Sequence, residues 1–270
     1  KEYWEGEDSR VYFIHGKDNI PFHTVIFPAI LAGLGIKNPN LRIISGEHLK
    51  LESKPFSAVK NWALWADYIC KKYNADSFRY YLSLNSPEDK DTDFTWREYI
   101  NIHNNELVGE LNNFVNKVLL FSRKNYANRV PNGKMDEKLK NEILNLYFDI
   151  GDKIEEGHFR DSLNDIMNLC KKGNKYFDNS KVWDLLSSDS AKCKDVTYNC
   201  IQIIVNLSNL LYPFMPGTCE KIKVSIGLNE SIWSFTEKKE GLIKECEVLF
   251  NKIDKKRVSE EVARLKEKKN

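Results

Sequence analysis

Residues 46–65 read Gly46-Glu47-His48-Leu49-Lys50-Leu51-Glu52-Ser53-Lys54-Pro55-Phe56-Ser57-Ala58-Val59-Lys60-Asn61-Trp62-Ala63-Leu64-Trp65. Three kinds of backbone follow one another in this stretch. Leu49 and Leu51 alternate with Lys50 and Glu52, which is strand periodicity. Ser53-Lys54-Pro55 then breaks the pattern, because proline cannot donate to a central ladder and forces Lys54 into extended geometry. Asn61–Trp65 leads into a helix over residues 66–72, which the apolar spacing allows to begin as early as Trp62. A loop carrying Lys54, Ser57 and Lys60 therefore stands between a strand and a helix start. Ammonium groups, a hydroxyl and the free N–H groups of a helix N-terminus suit an anion; the same residues also read as a basic surface loop.

Upstream, Val11–Ile14 is an apolar run of strand length, and Leu41–Ser45 reads as another short strand. Between them lies His15-Gly16-Lys17-Asp18-Asn19-Ile20-Pro21, then a segment apolar nearly all round from Phe22 to about Leu34. That pattern predicts a buried helix, N-capped near Asp18 or Asn19, kinked at Pro28 and ended by Gly35. Strand, glycine turn and helix make one edge of a nucleotide-type α/β sheet, whose strand ends would face ligand. His23 in such a helix also reads as a hydrogen-bonded core histidine.

Downstream, Ala75–Asn85 reads as a helix, and Ser86–Trp96 is polar, acidic and turn-forming. Thr95 and Glu98 form a capping box. From there the signal is helical. Leu107, Leu111, Phe114 and Val118 make one stripe; Leu139, Ile143, Leu146, Ile150 and Ile154 a second; Phe159, Leu163, Ile166, Met167 and Cys170 a third. Val196, Cys200, Ile203, Leu207, Leu210 and Leu211 form a fourth, which stops before Pro213 and Pro216. Amphipathic helices on short loops predict an antiparallel bundle. Residues 252–270 hold eight Lys or Arg against four Asp or Glu and read as an exposed helix, a solvated face with some attraction for phosphate.

Net charge is only +2 over 270 residues, so any nucleic-acid contact must use a local patch. The six cysteines form no C-x-x-C pair, which argues for reduced thiols and against a zinc site. No apolar span long enough for a membrane helix occurs. The chain opens on Lys1-Glu2-Tyr3-Trp4 and is expected to be a piece of a longer protein.

Several segments resemble the methionyl-tRNA synthetases, a class I family. Gly16–Thr24 is similar to the family's G-K-D-x-x-x-F-H segment, and Gly46–Trp65 to its signature loop ending in N-W-A-x-W. Asn74–Leu82 resembles its A-D-x-x-R-Y-Y-L helix, and Pro87–Trp96 its P-E-D-K-D-T-D-F-x-W boundary. Asn104–Leu107 and Asn112–Asn116 resemble its first bundle helix. The resemblance covers essentially the whole chain. It implies a mostly α fold, in which a small α/β remnant of a class I nucleotide-binding domain precedes a helical anticodon-binding bundle. The divisions expected are 1–40 for the end of the catalytic domain, 41–94 for the stem-contact and signature-loop region, 95–238 for the bundle and 239–270 for a tail helix.

The resemblance further implies a cytoplasmic methionine–tRNA ligase as parent, which activates methionine with ATP and Mg2+ and transfers it to tRNA(Met); neither a membrane nor DNA is expected as partner. The family's H-I-G-H motif and zinc knuckle would lie before residue 1, so the fragment alone is expected to be inactive and to carry no cofactor and no metal. Gly16 and Asp18 match adenosine-contacting positions, and Phe22 and His23 match methionine-pocket positions. Asn113 and Lys117 match the two anticodon-reading positions, on a polar face shared with Glu106 and Glu110, and Trp183 matches a base-stacking tryptophan. Without the resemblance these three would read as a solvated Asn–Lys pair and a core tryptophan. Lysine in place of the family's usual arginine keeps charge but loses the planar fork. One departure matters: where the family writes K-F-S-K-S or similar, this chain has Pro55-Phe56-Ser57-Ala58-Val59. Both signature lysines are lost and Ser57 remains, flanked by Lys54 and Lys60. The alternative is therefore a non-catalytic, tRNA-binding paralogue.

Overall fold

The computed structural model describes residues 4, 6, 8–37 and 40–267. Strands β1 (Arg10–Gly16) and β2 (Asn40–Gly46) pair in parallel, with Gly16 opposite Gly46. Between them, a single 3-10 turn (Lys17–Asn19) leads into a widened π turn (Phe22–Ile26) and then helix α1 (Phe27–Gly33). Pro28 sits in the first turn of α1 and not in the middle of a longer helix. The preceding turn has widened so that the Phe27 N–H reaches the Phe22 carbonyl, five residues back. That is one way a chain accommodates proline's missing donor.

The expectation that this helix is buried is overturned. Only Leu31 is buried, while Phe22, Val25, Ile26, Ile30 and Leu34 are exposed. Its apolar character is real, but the cover it has is partial: Phe27 packs edge-on against Phe13 of β1 and against Trp4.

A second sheet has the order β4 (Lys54–Pro55), β3 (Leu49–Leu51), β5 (Thr92–Phe94), with β3–β4 antiparallel and β3–β5 parallel. It packs on α2 (Ala66–Lys72), α3 (Ala75–Leu84) and α4 (Trp96–Ile102). Their small aromatic core joins Leu51, Ile69, Phe78, Tyr81, Phe94, Trp96, Tyr99 and Ile100 with Leu265 from the far end of the chain. Helix α2 starts four residues later than its earliest expected start. Trp62 is held out of it, its indole donating to the Leu51 carbonyl at 2.8 Å. The Thr95 cap forms as expected, accepting from the Glu98 N–H.

The bundle follows: a run of π turns (His103–Asn112), α5 (Asn113–Asn125), α6 (Glu137–Glu156), α7 (Phe159–Asn179), α8 (Val182–Ser188), α9 (Ser190–Leu210) and α10 (Pro216–Ile226). Leu107, Leu111, Phe114 and Val118 are all fully buried, as their spacing requires. Helix α9 is buried along nearly its whole length and forms the centre. Pro216, read from sequence as a stop, instead opens α10 at a first-turn position where its missing N–H costs nothing.

Residues 229–256 contain no regular element, yet they are held in place by amide side chains of the bundle. Asn206 accepts from the Thr236 N–H and donates to the Thr236 carbonyl. Gln202 does the same with Lys238, and Asn104 with Ile253. Each amide stands in for one rung of a β-ladder, which satisfies backbone groups that would otherwise be buried unpaired. His103 adds a further tie, its Nε2–H donating to the Asn251 carbonyl at 2.9 Å. The segment ends in α11 (Arg257–Lys266). Expected to be exposed, α11 instead buries Glu261 and Leu265 against the small core; the last three residues of the expected tail lie outside the described residues.

Candidate nucleic-acid interface and nucleotide edge

On the bundle, the apolar stripe of α5 turns inward and leaves Asn113 and Lys117 on the outer side. Asn113 is exposed and its amide makes no hydrogen bond to any described residue. Lys117 is partly covered: its Nζ lies 2.6 Å from Asp178 Oδ1, 3.4 Å from the Asn174 carbonyl and 5.5 Å above the Phe177 ring. These partners belong to the last two turns of α7. Four residues beyond Asp178, after Lys181 in the left-handed region (φ 45°), α8 begins. Val182 faces the core and Trp183 faces out, 56 % exposed. The tryptophan is therefore no core residue; a flat indole stands open beside the helix end that holds Lys117. Glu106 and Glu110 are engaged inward, accepting from the Tyr80 hydroxyl and from the Asn174 amide.

At the strand ends, Gly16 lies in extended backbone, and a Cβ there would meet nothing within 4 Å. Asp18 is well exposed, with His48 Nε2 4.0 Å away. Lys17 pairs with Glu47 and lies 3.7 Å from Asp91. His23 stacks on His15 at 4.6 Å and lies tilted against Phe13 at 4.7 Å between ring centroids, and Phe22 is exposed. A cleft of about 450 Å³ opens at this sheet edge, lined by Gly16, Gly46, Glu47, Glu88 and His158 among others. Of the four residues singled out from sequence here, Gly16 lines that cleft, and Asp18, Phe22 and His23 do not.

The loop of residues 54–62 differs from its sequence reading. It is not a helix N-terminus. Ser57 and Trp62 exchange both backbone hydrogen bonds at 2.9 Å, the Asn61 N–H donates to the Ala58 carbonyl, and the Lys60 N–H donates to Ser57 Oγ. Four amides are thus used inside a closed hairpin, and α2 begins only at Ala66. Lys54 Nζ lies 4.7 Å over the Trp62 ring. Glu52 and Ser53 precede the loop with φ of 47° and 63°. They are held there by bonds from the Trp96 N–H to Glu52, and from the Ser53 N–H and hydroxyl to Asp93.

Sequence reasoning missed what two of the quoted motifs do. In Asp76-Ser77-Phe78-Arg79-Tyr80, Asp76 accepts from Thr218 at the start of α10, Arg79 donates to the Pro213 and Phe214 carbonyls, and Tyr80 donates to Glu106. In Glu88–Asp93, Glu88 accepts from the Arg160 N–H of α7, and Asp91 and Asp93 tie β3 and its turn. Both segments are joints between the small core and the bundle. The only available hint was their density of charge in otherwise apolar surroundings. Burial raises the Glu88 carboxyl above the usual glutamate value, against the pull of Arg160. Among the described residues, no group of three or more His, Cys, Asp or Glu is placed to hold a metal ion, and no helix is long and apolar enough to cross a membrane.

Residues 1–119 match the family described as tRNA synthetases class I (M), and residues 128–270 match that described as the anticodon binding domain of methionyl tRNA ligase. The chain is 42% identical over 255 residues to methionine–tRNA ligase 1 of Alkaliphilus oremlandii, covering 94% of this chain and 47% of the relative. It is 40% identical over 265 residues to the methionine–tRNA ligase of Bacillus cereus, covering 98% and 48%. The fold is similar to that of Mycobacterium tuberculosis methionyl-tRNA synthetase bound by methionyl-adenylate, with a TM-score of 0.81 at 22% identity, over 91% of this chain and 50% of that one. The apo form of the same enzyme gives a TM-score of 0.79, also at 22% identity, over 92% and 50%. The chain thus spans about half the length of the relatives it matches.

Proposed function

Because the chain belongs to the methionyl-tRNA synthetase family, we propose that it is the tRNA-holding half of a methionine–tRNA ligase and that it grips tRNA(Met) by unstacked anticodon bases. The observation that carries this reading is Trp183, an indole 56 % exposed next to the helix end that anchors Lys117. A base stacks on the open indole face, a contact worth about 1–3 kcal/mol. The unspent Asn113 amide offers both donor and acceptor to a base edge. Lys117 supplies a point charge, held close by Asp178, which attracts the backbone without bidentate reading. In this reading residues 95–238 form the reader, and 1–40 and 41–94 are the nucleotide edge and stem-contact region.

The complete ligase would use methionine and ATP with Mg2+ in the cytoplasm. Gly16 leaves open space where adenosine would approach, Asp18 offers a carboxylate to ribose hydroxyls, and Phe22 and His23 would line the methionine side. Fluorescence anisotropy with a labelled anticodon stem-loop carrying CAU tests the reading: binding should weaken with salt and be lost in favour of no other loop when the three bases are changed. Equal affinity for an unrelated loop would overturn it.

One observation favours a second reading, that of a tRNA-binding paralogue that no longer activates methionine. Pro55 and Ala58 replace the signature lysines, and the hairpin they stand in is closed on its own amides. Losing a charge-stabilising donor costs a few kcal/mol in the transition state; Lys54 and Lys60, with Ser57 between them, are the groups that could compensate. ATP–pyrophosphate exchange by the complete protein, beside a Pro55→Lys, Ala58→Lys variant, separates the two. An ordinary wild-type rate excludes the paralogue.

A further inference from the structure

Glu261 is the most completely enclosed carboxylate that the base-reading proposal does not use. Its residue is 0% exposed, and it lies on α11, close to 200 residues along the chain from three of the four groups it meets. Tyr68 Oη donates to it at 2.7 Å, Lys72 Nζ at 2.6 Å, Tyr73 Oη at 2.6 Å and Arg264 Nε at 3.0 Å. Three of these four donors belong to α2 and the residue that caps it. The Tyr68 ring is also covered by Arg264, 3.8 Å from the ring centroid. Around this polar knot, Leu265, Val258 and Val262 close the small aromatic core over Ile69.

Helix α2 is the direct continuation of the 54–62 hairpin, beginning four residues after Trp62. The hairpin is tied to the sheet by the β4–β3 pairing at Lys54 and Pro55 and by the Trp62 indole on Leu51, while the Ser57–Trp62, Asn61–Ala58 and Lys60–Ser57 bonds close it on itself. Whatever holds α2 holds the downstream end of the hairpin. We propose that Glu261 is a positioning residue for the 54–62 loop, acting through Tyr68, Lys72 and Tyr73, so that α11 serves as a latch whose release frees that loop. The inference concerns the order of the loop and not what the loop binds, so it stands whether or not the bundle reads an anticodon.

The carboxylate is suited to this. A neutral side chain could not accept from four donors, two of them cationic, and removing it leaves Lys72 and Arg264 facing each other without a counter-charge.

The test is amide hydrogen exchange on the whole 270-residue chain, wild type against Glu261→Gln. The expected result is exchange faster by about tenfold or more in residues 57–73 and in α11, with α9 unchanged. Faster exchange confined to α11, or none anywhere, overturns the proposal. Should Glu261→Gln loosen α9 as well, the Tyr68→Phe, Tyr73→Phe variant decides, since it keeps both rings and removes two donors: the loop must loosen with α9 intact, or the proposal fails. A double-mutant cycle with Lys72→Met adds a check that a merely structural anchor would not meet. The two changes must be non-additive at the loop amides; additivity overturns the relay through α2.

Discussion

Gly157 sits so close to Ile44 that a Cβ added to it would fall 2.5 Å from Ile44 Cγ2. The glycine also has φ 86° and ends α6, so the corner between α6 and α7 rests directly on β2. Two independent constraints thus select glycine at one position. Gly157→Ala should destabilise the chain by about 2–4 kcal/mol, from the left-handed backbone and the overpacking together, read as a drop in the urea midpoint at constant m. A change under half a kcal/mol would mean the corner and strand can move apart freely.

Trp183→Ala should weaken binding of a CAU stem-loop by about 1–3 kcal/mol while leaving the urea midpoint within experimental scatter, because the indole contributes little to the core. Trp183→Phe should recover part of the loss, since it keeps an aromatic face. Anisotropy titrations check both, and undiminished affinity for the alanine variant would remove the tryptophan from the interface.

Asn206→Leu should cost about 2–4 kcal/mol, although leucine is close in volume and more apolar. The reason lies in its partners: the part-buried Thr236 N–H and carbonyl and the buried Tyr147 hydroxyl would all lose a bond. Thermal unfolding of the variant checks this. A neutral outcome would show that water reaches Thr236.

His103 gives the chain a predictable acid response. Burial lowers its pKa below the ordinary value near 6.5, and the bond to the Asn251 carbonyl opposes this only in part. With Nε2–H donating to Asn251, Nδ1 accepts from the Ser77 hydroxyl at 2.6 Å. A depressed folded pKa means that the neutral form is the folded one. Its contribution is complete above about pH 6.5 and is lost as pH falls through the lower folded value. Stability should therefore decline as pH falls below about 6.5 more steeply for wild type than for His103→Asn. Parallel curves for the two proteins would exclude His103 as the source.

The stripe Leu107–Leu111–Phe114–Val118 was readable because burial on one helix face leaves a period that any window detects. The Thr95 cap was readable because its partner lies three residues away. Gln202, Asn206 and Asn104 were not, since an amide on an otherwise apolar helix face carries no signal about a backbone 30 to 149 residues distant. The same limit hid Glu261, whose charge among basic residues looked like an ordinary solvated face. The segment Phe22–Leu34 misled for a different reason: apolar composition reports a preference for cover and says nothing of whether cover is present. Asn113, Lys117 and Trp183 came from resemblance and not from pattern. The exposure of Trp183 was beyond reach of the sequence, because Val182 and Trp183 are adjacent and only the turn at Lys181 decides which of them faces inward.

The amide rungs that hold residues 229–256 set an order of events. A segment that borrows its ladder from Asn104, Gln202 and Asn206 has no template until α9 and the π turns already stand. It must wind on last, as thread is wound onto a finished spool. Protection of the Thr236 and Lys238 amides should then appear in pulse-labelled refolding only after that of α9; simultaneous appearance would mean that the wrap helps to build what it encircles.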